Sequence, residues 1–595
     1  MTLLTRSETS RLGLAGVLLA LAFPPLPFGL LSLVALVPLL QVLDADPRPG
    51  FRRGFTRGAF FGSAFYLLLL FWLWDLVRFT PLIAPTWLLS SLYLGALVGL
   101  AVGAAQWVRA RTGRSPALLL PFAWIGLEKL LQYGDLRFTW GVLADTLTPY
   151  PLLLQTAELW GALGISFLIV LVNGLAYAAW RSSERSPWRR APALGLVALS
   201  VAVLAYGAAR WSVLPGPGEG GGAVVAGGAV SEPARPGGGL TGGNVVRDPA
   251  EDLGPLIAPA VAAPAPPPAP GSVRVAVIQP DIPQAVRDQR ENEGYERSRL
   301  LELSRRALQL DPDLVVWPET AASWLRYDPA YLAELVALCC GSGATAPFLV
   351  GALDALEPGT AGQRIFNAAF LVDEAGEIAG VYRKALLVPM TEQVPYSGLL
   401  GFLKPDVWSG SFSAGGSFTP LEFRADAPGE AGSVRVGVPI CYEIIFAHAI
   451  REFRRRGARL IVTITNDAWF GRTPAPYQHA SQLRLRAIES RMAIARAANT
   501  GISGFVSPRG DVIAATDIFE PAYLVADLPL AGGVTPYVRW GDWILPVSWL
   551  GLALASGLAR RRAGATRSRG PTEPQRVTSA RPDPALVDSP GEDDR

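Results

Sequence analysis

Three polar residues stand where short apolar runs end, and together their types suit one chemistry. Cys441 follows the β-branched run "SVRVGVPI" and precedes "EIIFAHAIREFRRRGAR", which reads as an amphipathic helix. Glu319 ends the strand-like "DLVVWPE", and Lys384 ends "GVYRK". In α/β sheets ligands gather beyond the strand ends, so these three residues are expected to meet there. Glu319 would take the thiol proton as general base. Cys441 would attack a carbonyl and hold the acyl group as a thioester. Lys384, with backbone N–H groups at the start of the next helix, would stabilise the oxyanion. The ammonium and the helix N-terminus would also favour the thiolate of a thiol whose ordinary pKa is about 8.5. Taken singly, each residue has a plainer reading: a buried inert cysteine, or a solvated charge at a strand end. The combination carries the argument.

These residues need a scaffold, and the 272–530 stretch supplies one. "SVRVAVIQP", "DLVVWPE", "FLVGAL", "SVRVGVPI" and "RLIVTITND" are short apolar strands, with helical patterns over 293–309, 328–340 and 443–456 between some of them. "AAFLVDEAGEIAGVYRK" reads as two strands about a Glu-Ala-Gly turn, and "ISGFVSPRGDVIAA" as two about Pro-Arg-Gly. Strands alternating with helices predict a layered α/β domain.

The rest of the chain is of another kind. Half of its 595 residues are hydrophobic and 17% are charged. Apolar stretches at about 11–24, 28–44, 57–80, 84–108, 116–133, 155–180 and 191–211 make seven candidate spans within residues 1–211, most near the roughly 20 residues a bilayer requires. A cleaved signal peptide is the other reading of the first, but "FPPLPFG" is a poor cleavage site. An eighth candidate covers 541–560. Arg6 and Arg11 precede the first span. "RPGFRRGFTR", "RARTGR" and "RSSERSPWRR" fill alternate loops, and "RRRAGATRSR" follows the eighth span. Arg78 and Arg137 are the exceptions. The positive-inside rule puts the basic loops in the cytoplasm and the α/β domain outside. Residues 212–271 are rich in Gly, Pro and Ala and read as a flexible linker. Residues 561–595 read as a disordered cytoplasmic tail.

A net charge of +3 is too small to suggest a nucleic-acid partner. Three cysteines, two of them adjacent, form neither a disulfide framework nor a zinc spacing, and there are only two histidines. No metal or cofactor is expected.

At "WPET", "YRKALLVPMTEQVPY", "PICYE" and "NDAWFG" the sequence resembles the nitrilase superfamily of carbon–nitrogen hydrolases. The resemblance implies an αββα sandwich and maps the Glu-Lys-Cys triad of that superfamily onto Glu319, Lys384 and Cys441. Seven spans, an outward nitrilase-like domain and a returning eighth span resemble the apolipoprotein N-acyltransferase family of bacterial inner membranes. That family implies a ping-pong reaction at the last step of lipoprotein maturation. A phospholipid donates an acyl chain to the cysteine, and the amine of an S-diacylglyceryl-cysteine at an apolipoprotein's N-terminus receives it. Glu392, Tyr442 and Glu443 match further acidic and aromatic positions of the family. "IPQAVRDQR" lacks a tryptophan the family often has there, and Trp324 is the candidate substitute.

Two rival functions stand beside this one. A membrane-anchored nitrilase-type amidase would use the same triad, and a scaffold would have lost activity. A hydrolase of soluble substrates needs no seven-span half, and an inactive scaffold needs no intact triad.

Other features have open readings. Asp75, Arg78, Glu128, Lys129 and Glu158 lie at the outer ends of spans, either snorkelling at the interface or flooring the catalytic domain where headgroups pass. The apolar segment 397–410 either packs on its own domain or dips into lipid. Arg454 to Arg456 read as a solvated helix end, and Cys339 and Cys340 as core residues.

Overall fold

The computed structural model describes residues 4–78, 83–182, 191–214, 225–227, 271–287, 289, 292–342, 346–360, 362–396, 412–425 and 432–553. The 397–410 segment, the Cys339 and Cys340 side chains, the 561–595 tail and nearly all of the 212–271 linker lie outside them.

Helices fall on all seven N-terminal apolar stretches. Ala84–Thr112, Ala157–Arg181 and Ala191–Val213 are each long and apolar enough to cross a membrane. Phe51–Leu69 and Phe71–Val77, bent by 52° at Leu70, qualify together. Arg6–Leu21, Val37–Asp44 and Pro116–Leu130 are shorter. On Ala191–Val213, Leu194, Val197 and Val201 are exposed, as befits a face turned to lipid.

The close approach of one helix pair is dictated by glycine spacing. Gly54, Gly58 and Gly62 recur every four residues on Phe51–Leu69, and Gly95, Gly99 and Gly103 do so on Ile83–Thr112. A Cβ on Gly54 would lie 2.9 Å from the Gly103 Cα. One on Gly58 would lie 3.0 Å from Gly99, and one on Gly62 3.0 Å from Gly95. Small residues at this spacing let two backbones touch, which is how helices associate without a hydrophobic drive between them.

The α/β half has two sheets. We number its strands β1 (Val225–Gly227), β2 (Ser272–Gln279), β3 (Leu314–Val316), β4 (Phe348–Leu356), β5 (Arg364–Val372), β6 (Ile378–Arg383), β7 (Leu421–Ala425), β8 (Gly432–Gly437), β9 (Leu460–Thr465), β10 (Ile494–Ala498), β11 (Gly504–Val506), β12 (Val512–Ala515) and β13 (Ala522–Pro529). One sheet runs β1-β13-β2-β3-β4-β5-β6 and the other β12-β11-β10-β9-β8-β7. The parallel pairs are β2/β3, β3/β4, β8/β9 and β9/β10.

Side-chain alternation explains the layering. Val273, Val275 and Val277 of β2 share one core with Val436, Ile461 and Ile494 of the second sheet. Ala276 and Ile278 face the other way, onto Leu300, Leu303 and Leu335 of the helices Glu293–Leu308 and Pro329–Ser342. β2 thus buries both faces, one on the opposite sheet and one on helices. Phe453 and Ile488, from Ala447–Arg455 and Pro474–Ser490, extend the shared core on the second sheet's side. This is the expected αββα sandwich. Within the stretch read as linker, Val225 to Gly227 pair antiparallel with Val525 to Tyr523 and extend the first sheet by one short strand.

One charge at a span end bolts the two halves together, and another ties the 116–133 stretch to the start of the 541–560 stretch. Glu158 accepts from Arg491 at 2.6 Å, and Lys129 pairs with Asp542 at 2.6 Å. Glu128 is buried and accepts from Trp124 Nε1 and Leu143 N. Glu158 and Lys129 are thus each held in an ion pair within the protein. Arg454 also departs from its expected place. It is buried, donating to the carbonyls of Ala458 and Gly532, while Arg455 and Arg456 stay near the surface beside Glu452. The helix ends against the 532–533 backbone, whose carbonyls need a donor.

Candidate active site

Glu319 lies three residues beyond β3 and is 6% exposed. Gly351 of β4 lets this loop come close, since a Cβ there would overlap the Pro318 carbonyl and crowd the Glu319 Cα. Lys384 directly follows β6, and its amide donates to the Asn367 carbonyl across the ladder at 2.9 Å. Cys441 lies four residues beyond β8.

The ammonium of Lys384 is enclosed between two carboxylates. Its Nζ donates to Glu319 Oε1 at 3.1 Å and to Glu392 Oε1 at 2.9 Å, and the residue is 1% exposed. Burial alone would discharge it, yet the Glu319 and Glu392 charges hold its pKa well above the usual lysine range. Asn367 Nδ2 bridges the same two oxygens, at 2.7 Å and 3.1 Å. The other Glu319 oxygen accepts the Asn466 amide at 2.9 Å, and the other Glu392 oxygen that of Val388. Glu319 is thus fixed in orientation by three donors.

Cys441 is partly exposed and has φ of +50°, in the left-handed region. Non-glycine residues hold that conformation only where their surroundings impose it. It opens a 3-10 turn, Cys441–Ile445, and the α-helix begins only at Ala447. The thiolate expectation needs correction here. Packing around the sulfur pushes the thiol up, and the Glu319 carboxylate adds to this. Lys384 opposes them without prevailing, because two carboxylates already share its charge. A single 3-10 turn brings less dipole than an α-helix. The resting sulfur is a thiol, so it requires a base as it attacks.

Glu443 is the staple of the site. Its Oε1 accepts the amides of Ala385 (2.7 Å) and Leu386 (3.0 Å), just past Lys384. Its Oε2 accepts the Ile440 amide (2.8 Å), just before Cys441, and Tyr382 Oη donates to both oxygens. One carboxylate therefore ties the lysine loop to the cysteine turn. Burial raises its pKa to about 7 against these donors. Tyr442 points elsewhere: its hydroxyl donates to the Arg137 carbonyl in the membrane half at 2.6 Å. Trp324 is exposed at the surface, its ring against Tyr327, and makes no bond to the triad network among the described residues.

Asn367, Tyr382 and Asn466 are the members that sequence reasoning passed over. Asn367 had a signal, as a lone amide inside the apolar "RIFNAAFLV" of a central strand. Tyr382 and Asn466 open the motifs "YRKALLVPMTEQVPY" and "NDAWFG", but residue type alone gave them no role, because tyrosine suits any strand and asparagine any turn.

The site is a carboxylate and an ammonium locked together beside a partly open thiol, which suits nucleophilic acyl transfer. Residues 274–534 match the carbon–nitrogen hydrolase family model, and residues 15–175 that of the apolipoprotein N-acyltransferase N-terminal domain. The apolipoprotein N-acyltransferase of Geobacter metallireducens is 33% identical, covering 92% of this chain and 94% of that relative. That of Gloeobacter violaceus is 32% identical, covering 93% and 94%. Among solved structures, an amidase from Nesterenkonia sp. is 21% identical, with a TM-score of 0.32, over 47% of this chain and 97% of that one. Matched by both family models and one-third identical to a relative along nearly its whole length, the chain belongs to the apolipoprotein N-acyltransferase family.

Proposed function

We propose that this membrane acyltransferase moves an acyl chain from a phospholipid to the N-terminal amine of an S-diacylglyceryl-cysteine on an apolipoprotein, through a thioester on Cys441. The observation that carries the reading is the Lys384 ammonium held between Glu319 and Glu392 beside the Cys441 turn. Glu319 takes the thiol proton as sulfur attacks the ester carbonyl. Lys384 and the first amides of the turn receive the oxyanion. The C–O bond breaks, Glu319 returns the proton to the leaving alkoxide, and lysophospholipid departs. In the second half-reaction the amine attacks the thioester, Glu319 takes its proton, the C–S bond breaks and the thiol is restored. Glu392 holds Lys384, and Glu443 holds the two loops in register.

The layout supported by the basic loops is seven spans over 1–211, a linker over 212–271, the catalytic domain over 272–530, a returning span over 541–560 and a cytoplasmic tail. The catalytic domain then faces the periplasm from the bacterial inner membrane. Relatives named as acyltransferases, and a membrane half that only lipid substrates require, weigh against the amidase reading.

The test is to incubate the purified protein with phospholipid carrying a labelled acyl chain and no acceptor. A hydroxylamine-sensitive label on the Cys441 peptide is expected, discharged by a diacylglyceryl-cysteine peptide. Rapid release of free fatty acid, with no transfer once the peptide is added, would favour the hydrolase. Reporter fusions within 215–270 should report the outer compartment, and a cytoplasmic signal there would overturn the topology.

A further inference from the structure

We propose that His479 is a positioning residue for acyl transfer: by holding the main-chain carbonyl of Cys441 it aims the Tyr442 amide at the oxygen that becomes negative. The inference rests on Cys441 being the nucleophile.

The geometry begins with the strained backbone. Glu443 grips the Ile440 amide before Cys441. His479 Nε2 stands 3.1 Å from the Cys441 oxygen after it. A carbonyl only accepts, so Nε2 carries the hydrogen. The peptide joining Cys441 to Tyr442 is planar and trans, so its C=O and N–H point in opposite directions. Fixing the carbonyl on His479 therefore fixes the Tyr442 N–H on the other side. That amide opens a 3-10 turn, where no intrahelical carbonyl can reach it.

With the hydrogen on Nε2, Nδ1 is the acceptor for Arg496, and Asp467 positions that arginine. His479 Nδ1 lies 3.1 Å from Asp467 Oδ1 and 3.1 Å from an Arg496 nitrogen. Arg496 donates to Asp467 Oδ2 at 2.6 Å, and the Thr465 hydroxyl to Asp467 Oδ1 at 3.0 Å. His479, Asp467 and Arg496 are all buried. Burial would raise the Asp467 carboxyl, but Arg496 and His479 hold it below its ordinary range, so it stays ionised. The Trp140 ring packs on the imidazole at 5.7 Å between centroids, and Trp140 Nε1 donates to the neighbouring Gln478 at 2.7 Å. Burying an ion pair and an imidazole is costly, the more so as Arg496 Nη1 is buried with no hydrogen-bond partner among the described residues. Here the outcome of that burial is one hydrogen bond, delivered to the carbonyl of the residue that bears the nucleophile.

The test uses the full chain in detergent, with p-nitrophenyl butyrate to acylate Cys441 and iodoacetamide to alkylate it. Alkylation passes through no oxyanion, so it reports the sulfur without the amide. His479→Gln keeps an N–H donor near the position of Nε2, whereas His479→Ala removes it. We expect acylation by the ester to fall about 30-fold in the Ala variant, less than the roughly 10²–10³ for an oxyanion donor removed outright because the amide is misaimed and not lost, and to fall through kcat rather than KM. The Gln variant should recover most of the rate, and alkylation should change little in either. Equal losses in Gln and Ala, a parallel fall in alkylation, or no loss at all would each overturn the proposal. Wild-type chain that takes no acyl group on Cys441 would instead refute the nucleophile assignment.

Discussion

The Tyr442 hydroxyl donates a 2.6 Å hydrogen bond to the main-chain carbonyl of Arg137. The residue after the proposed nucleophile is thereby tethered to a loop of the membrane half. Thr139, two residues on, donates to the Ile445 carbonyl at 3.2 Å, at the far end of the same turn. The 137–139 strip thus braces the whole Cys441–Ile445 turn, and membrane half and catalytic chemistry are mechanically joined.

Tyr442→Phe keeps the ring and loses the tether. Acylation should drop about tenfold, the equivalent of about 1.4 kcal/mol and typical of one buried hydrogen bond. The drop should appear with p-nitrophenyl butyrate, which needs no bilayer. A defect confined to phospholipid substrates would show that the tether serves lipid access instead.

Lys384→Arg preserves the charge but puts a wide planar fork where a compact ammonium sits between two carboxylates. It should lose activity almost as fully as Lys384→Ala, about 10³-fold. Near-normal turnover would mean that Lys384 contributes only its long-range field.

Glu319→Gln should separate base from field. Because the Glu319 charge helps to raise the thiol, its removal should leave iodoacetamide alkylation of Cys441 at neutral pH as fast or faster. Acylation should fall by about 10²-fold or more, since the thiol proton has no acceptor. Cys441→Ser should form no labile acyl-enzyme. Undiminished acylation in Glu319→Gln would contradict the assigned base.

Glu443 gives a pH signature. Its folded pKa of about 7 lies above the ordinary 4.5, so between these values the folded chain binds more protons than the unfolded one. Its contribution to stability is whole below 4.5 and is lost as pH rises through 7. The melting temperature of Glu443→Gln should therefore vary less than that of wild type over pH 4.5–7.5. The variant should also be less active, because an amide turns an N–H toward backbone amides that need acceptors. Identical pH slopes would exclude Glu443 as the titrating group.

The Glu158–Arg491 bolt joins the halves at side chains that are 6% and 9% exposed. Glu158→Ala should cost about 3 kcal/mol by leaving a buried guanidinium short of its counter-charge. Glu158→Leu combined with Arg491→Met should cost less than the sum of the single changes. Strict additivity in thermal melts would mean that the pair is not coupled.

The sequence by itself determined the two halves and the strand ends that carry the three residues proposed to react. Span-length apolar runs, and Glu319, Lys384 and Cys441 at strand ends, are local patterns. Chain periodicity and residue type are enough to reveal them. Layering was equally legible, because strands alternating with helical patterns over 272–530 call for a layered α/β domain. Only the tertiary structure decided which groups surround these residues. Glu392 reaches Lys384 and Glu443 reaches Ala385, while Tyr442 turns to Arg137 and Trp324 stays outside the network. His479 meets a carbonyl 38 positions earlier in the chain, and Glu158 an arginine 333 positions later. Such contacts depend on how separate elements pack, and no periodicity records them. The state of the Cys441 thiol followed the same rule: burial and a neighbouring carboxylate outweighed the lysine, a balance that exists only once all three are brought together.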